Sequence, residues 1–169
     1  MARALRLRTV LPSNWRAGLS EVVKQGAFVT PSVGGWVLVV GRDVAARTAD
    51  PAQVEALIGS LSEVFGEAFW FIADTGRDVF GWARGAAGRC TRAYAFAEEL
   101  GHYLWLGEVT DQEHELGCFI DDPRDRSEDT IKWWPDLGVV CAVAARWAVD
   151  PSRLGGHADS EGVGLLGRL

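Results

Sequence analysis

Cysteine is scarce in this 169-residue chain, which holds three, Cys90, Cys118 and Cys141, an odd number standing far apart. That spacing writes neither a disulfide framework nor a CxxC metal or redox pair, so the expectation is a protein of a reducing compartment, the cytoplasm. A long apolar run is also missing. The opening MARALRLRTV is basic but has no apolar core of signal-peptide length, and no later stretch is long enough to cross a bilayer. Neither secretion nor a membrane partner is expected. VGGW and RGAAGR lack the Lys and Ser/Thr of a phosphate loop and read as hairpin turns. No stripe of basic residues alternates with aromatics, which argues against nucleic acid as a partner, because that affinity comes chiefly from Lys and Arg neutralising phosphates.

What is present is an ordinary globular composition, 48% hydrophobic and 24% charged, at a length that suits one domain. The net charge of -6 is unevenly spread. Residues 1–50 carry seven basic and three acidic side chains, whereas residues 108–136 carry ten acidic and three basic. Such a segment suits a basic partner; its plainer reading is a solvated loop that keeps the protein soluble.

Hydrophobic periodicity supplies the elements. In LPSNWRAGLSEVVKQG, Trp15, Leu19, Val22 and Val23 mark a helix that Ser13 would cap and Gly26 would end. AFVTP and GWVLVVG follow as two strands, the second expected to be buried. Asp50, Pro51 and Gln53 open a second helix whose Val54, Leu57, Ile58, Leu61 and Phe65 form one face and which Gly66 stops. From Phe69 to Gly107, FWFIAD, VFGWAR, RCTRAYAFA and HYLWLG succeed one another with only turn residues between them, the pattern of an antiparallel meander. Alternation sets Cys90, Arg92, Tyr94 and Phe96 on one face and Thr91, Ala93, Ala95 and Ala97 on the other, where small side chains let a helix approach. Thr110, Asp111 and Glu113 form a capping-box signature. A last helix, capped by Asp136 and ended near Asp150 and Pro151, carries Leu137, Val140, Cys141, Ala144 and Trp147 toward the core. The expected fold is α+β, an antiparallel meander sheet with helices packed on one face and the other face open. Residues 1–153 are expected to form a single domain, and the glycine-rich residues 154–169 a flexible tail.

FVTPSVGGWVLVVG, FWF, GWAR, TRAYAF, LG and a closing ARWAVDP, between Trp15 and Pro151, together resemble a family of small actinobacterial-type α+β proteins. The resemblance implies a fold, since its motifs are mostly apolar and glycine positions. It brings no established activity and no functional residue. Small acidic α+β proteins without catalytic motifs include many immunity proteins, an analogy of fold and composition.

Candidate chemistry is sparse. His114 and Cys118, with His102, have ligand types that zinc prefers, but Gly117 would end the helix between them. Asp121, Asp122 and Asp125 lie in DDPRDRSED, which lacks the glycine and spacing of a calcium loop and carries Arg124 and Arg126. No metal and no cofactor is expected, and no catalytic residue is assigned. The aromatics carry more. Trp36, Trp70 and Trp147 stand in apolar contexts that suit the core, whereas Trp133 and Trp134 are adjacent and cannot both point inward. The reading is therefore a non-catalytic binding protein, immunity-like, that masks a basic protein partner through Asp121, Asp122, Asp125, Trp133 and Trp134. The alternative is a small-molecule site, for binding or biosynthetic catalysis, on an open sheet face bearing Trp82, Arg92, Tyr94 and His102. A third reading is a purely structural homodimer.

Overall fold

The computed structural model describes residues 1–119, 133–157 and 162–169, and they form an α+β fold with two open, four-stranded antiparallel sheets. The chain divides into two compact units, one of residues 1–53 and 151–169 and the other of residues 54–150, where the sequence reading expects one domain. Among the described residues no helix is long and apolar enough to cross a membrane.

In the first unit the strand order is β1 (Arg8–Ser13), β8 (Gly164–Arg168), β2 (Ala27–Val33), β3 (Trp36–Val40). Helix α1 (Trp15–Val22) is capped by Asn14, whose side chain accepts from Ala17 N at 2.9 Å, one residue later than Ser13. Its buried face is Trp15, Gly18 and Val22, and Leu19 and Val23 are exposed. Gly18 is the reason: a Cβ there would lie 2.5 Å from the Phe28 ring, so the helix sits directly on β2. β2 lies between β8 and β3, which buries Ala27, Phe28, Val29 and Thr30, while β3 is an edge strand and only partly covered. The expectation that GWVLVVG is the buried strand is thus reversed, and Trp36 is only half-buried.

The C-terminal residues depart furthest from the sequence reading. Gly164–Arg168 is no flexible tail but an inner strand, paired with β1 and β2. Glycine enables it, since a Cβ on Gly164 would collide with Val29 O and the Phe28 ring. Asp43, in the short helix α2 (Arg42–Arg47), fastens its end, accepting from Arg168 Nε at 3.2 Å and Leu169 N at 3.1 Å. The Gly26 N–H, donating at 2.8 Å, holds the Asp43 carboxyl below the usual carboxylate range, helped by Leu169 and Arg168.

In the second unit, β4 (Glu67–Asp74), β5 (Val79–Ala86), β6 (Arg89–Ala97) and β7 (Gly101–Leu106) form the expected meander in chain order. Both faces are in use. Val54 and Ile58 of α3 (Pro51–Phe65) pack with Ala83, Ala93, Ala95, Trp70 and Leu104 on the small-residue face. Gly85 makes that approach possible, because a Cβ on it would come 2.6 Å from the Ile58 side chain. Val140, Val143 and Trp147 of α5 (Leu137–Trp147) cover the other face with Phe80, Trp82, Tyr94 and Phe96. No open aromatic face remains at Trp82 and Tyr94. A bulge at Thr91, where Arg84 pairs Arg92 but Gly85 pairs Cys90, moves Cys90 to the α3 side, against simple alternation.

Candidate functional site

The centre of the second unit is polar. Arg92 and Glu113 are both fully buried, and Arg92 Nη2 lies 2.9 Å from Glu113 Oε1. Arg92 Nε donates to both carboxylate oxygens at 3.0 Å, and Trp82 Nε1 donates to Oε1 at 2.6 Å. Thr110 N and Oγ1 donate to Oε2 at 2.7 and 2.8 Å. The carboxylate is therefore met from three elements.

Local sequence explains each direction. Thr110 and Glu113 form the expected capping box of α4 (Asp111–Glu115), and the box turns Glu113 back toward the sheet. Arg92 points the same way because it occupies the Tyr94 face of β6. Its Nη1 donates to Ala93 O and Leu106 O, both at 3.2 Å, and to Gly107 O at 3.5 Å. Gly107 turns with φ +73°, and a Cβ on it would strike Thr91 O, so the turn that presents these carbonyls needs glycine. The guanidinium lies 4.6 Å from the Trp105 ring centre and 5.2 Å from that of Phe119. Nη2 is close to the carboxylate but out of line, and makes no hydrogen bond.

The four residues of the expected aromatic platform do come together. Trp82 and Tyr94 rings are 4.8 Å apart, and Tyr94 Oη shares a 2.9 Å hydrogen bond with His102 Nδ1. Trp82, Arg92 and Tyr94 are buried in the core, not set out as a platform, and His102 is half-buried beside them: Phe119 and Trp133 pack on Tyr94 at 4.7 and 6.0 Å. Burial pushes the Tyr94 phenol far above its usual range and lowers the His102 pKa, so both favour their neutral forms. His102 Nε2 is buried without a hydrogen-bond partner.

Of the proposed partner surface, Asp121, Asp122 and Asp125 lie outside the described residues. Trp133 and Trp134 are separated as adjacency requires. Trp133 is half-buried with its ring 4.6 Å from Phe119, and Trp134 is 52% exposed, edge-on to Phe96 at 5.1 Å and stacked on His102 at 6.4 Å. Pro135, buried after them, and Asp136, accepting from Val139 N at 2.8 Å, lead into α5. Glu108, Asp111 and Asp136 are exposed, Glu115 pairs with Arg146 at 3.1 Å, and Glu113 is withdrawn from the surface altogether.

The thiols are set for inertness. Burial, reinforced by the charge of Glu113, pushes Cys118 up to about 12, and burial with Glu55 pushes Cys90 up to about 11. His114 is exposed while Cys118 is buried past Gly117, so the two share no ligand face. Among the described residues no group of three His, Cys, Asp or Glu is arranged to hold a metal ion. Family models, curated proteins and solved structures return no match to this chain.

Sequence reasoning missed the pairing of Arg92 with Glu113. The signal was available: an arginine alternating with Tyr94 and Phe96 on an apolar face must find a carboxylate, and the capping-box Glu113 is one whose side chain turns back on its own helix.

Proposed function

We propose that the protein is a non-catalytic binding protein that masks a basic protein partner, in the manner of an immunity protein. The observation that carries this reading is Trp134, half exposed yet braced on Phe96 and His102 of the core, at the end of the acidic segment 108–136. A braced, exposed indole loses little side-chain freedom on binding, and aromatic anchors of this kind dominate interface energies. Exposed Glu108, Asp111 and Asp136 add charge that would steer a cationic partner.

The interior supports the same choice. Trp82, Arg92 and Tyr94 are each at most 1% exposed, and the Arg92 charge is already met by Glu113, so the small-molecule alternative lacks an accessible platform.

Affinity capture from the native organism should retain a basic protein, whose binding is then followed with the isolated pair. Reversing the charges at Asp121, Asp122 and Asp125 should slow association and weaken its salt dependence, whereas Trp134→Ala should speed dissociation and cost about 2 kcal/mol or more. Binding that both changes leave intact overturns the reading.

A further inference from the structure

His102 stands between the core and the proposed anchor. Tyr94 and Phe96 of β6 close the inner side of its ring, with ring centres at 5.7 and 5.3 Å, and Trp134 lies over the outer side, 12° from parallel at 6.4 Å. Its two nitrogens are served unequally. Nδ1 shares the 2.9 Å hydrogen bond with Tyr94 Oη, whereas Nε2 is buried and has no hydrogen-bond partner. Among the described residues Tyr94 Oη makes no other hydrogen bond, and burial keeps the phenol protonated, so Tyr94 donates and Nδ1 accepts. The neutral ring therefore carries its proton on Nε2.

A second proton has to enter at Nδ1, and the fold is unprepared for it. Nδ1 would become a donor facing a donor, so Tyr94 would have to turn its O–H away with no acceptor to receive it. Nε2 would share a positive charge with no acceptor beside it. Among the described residues, neighbouring charge gives no relief. Tyr94 is the titratable group that β6 sets against the ring, Tyr103 on β7 packs with the α3 side of the sheet, and Asp136 beyond Trp134 is taken up in capping α5. Glu98 and Glu99 stand exposed in the turn between β6 and β7. Burial is accordingly the cause that lowers the His102 pKa. A charged ring keeps an attraction for the indole face, but that does not replace the water and the acceptor it lacks. It reaches water by turning outward, through the place where Trp134 stacks.

We propose that His102 makes the Trp134 anchor pH-sensitive: the neutral ring braces the indole for its partner, and protonation turns the ring outward, displaces Trp134 and releases the partner on mild acidification. Release depends on Trp134 being the binding anchor, as proposed above; the coupling of Trp134 to His102 does not. Loss of the brace acts on binding because an indole that moves freely has to be ordered again at the interface.

The Trp134 indole N–H and the His102 imidazole, followed by NMR in the full chain between about pH 8 and about pH 5, test the coupling. The Trp134 resonance should shift with the midpoint of His102, below 6.5. Tyr94→Phe removes the hydrogen bond that favours the neutral ring and should raise both midpoints together, a shift that a purely packing role would not produce. His102→Phe keeps a ring in the stack and should leave Trp134 indifferent to pH. For a captured basic partner, one pH unit below the midpoint about a tenth of the molecules keep the braced anchor, so affinity should fall about tenfold, and it should hold steady in His102→Phe. A Trp134 resonance that ignores the His102 midpoint, or that titrates unchanged in His102→Phe, overturns the coupling while leaving Trp134 as the anchor. So does a His102 that stays neutral until the protein unfolds. Coupled midpoints with a partner whose affinity does not change overturn instead the assignment of Trp134 as the anchor.

Discussion

Arg92 and Glu113, 21 residues apart in sequence, meet as a fully buried ion pair that ties α4 to the centre of the sheet. Such a pair adds little over well-packed apolar side chains, because the Coulomb gain offsets a large desolvation cost. Breaking it is a different matter. Glu113→Gln should destabilise the second unit by about 3–5 kcal/mol in urea unfolding, since the guanidinium stays buried without its counter-charge. Pairing that change with Arg92→Met should cost clearly less than the two single changes added together. Additive effects would mean the two groups are not coupled in the folded protein.

The adjacent tryptophans should divide stability from binding. Trp133→Ala removes a ring packed on Phe119 and Tyr94 and should cost about 2 kcal/mol or more in stability. Trp134→Ala, at a site half open to solvent, should change stability by less than about 1 kcal/mol. Thermal unfolding of the two variants side by side decides it, and equal losses would place Trp134 in the core.

Much of this was legible in local pattern. The meander, the capping box of Thr110 and Glu113 and the split of Trp133 from Trp134 follow from alternation, short polar side chains and adjacency, all of which act within a few residues. What was illegible depended on partners remote in the chain. Gly164, Leu165 and Leu166 read as tail because glycine opposes a strand locally, yet the gap between β1 and β2 admits a strand at Gly164 only without a Cβ. Cys90 crossed to the α3 face through one bulge residue, Thr91. The open sheet face closed because α5 returned to cover it, a tertiary choice that periodicity in the strands does not record.

Removing residues 163–169 should therefore unfold the first unit. Without β8, the β1 edge and the β2–β3 hairpin lose the strand between them, and Asp43 loses both of its C-terminal donors. Amide exchange should show protection lost across β1 and β2. Unchanged protection there would show that β8 is dispensable.

Cys118 should be silent to thiol reagents in the native state. It is 1% exposed and its pKa is pushed up to about 12, so the thiolate fraction near neutral pH is negligible and the reagent has no path to it. Mass mapping of the modified chain should find Cys118 labelled only after denaturation. Native labelling at a rate matching Cys141 would contradict this burial.

The pH dependence of stability follows from His102. Burial lowers its folded pKa below the ordinary 6.5, so between the two values the unfolded chain binds more protons than the folded one. The stabilisation from the neutral ring is complete above pH 6.5 and is lost as the pH falls through the folded pKa. Stability measured by urea unfolding should thus decline on acidification through this window. His102→Phe should flatten that part of the profile, keeping the ring contacts with Phe96 and Trp134 while removing the titrating group and leaving the Tyr94 hydroxyl without its partner. The variant would start from lower stability at neutral pH, but with a shallower slope; a slope equal to that of the unaltered protein would assign the acid sensitivity to another group.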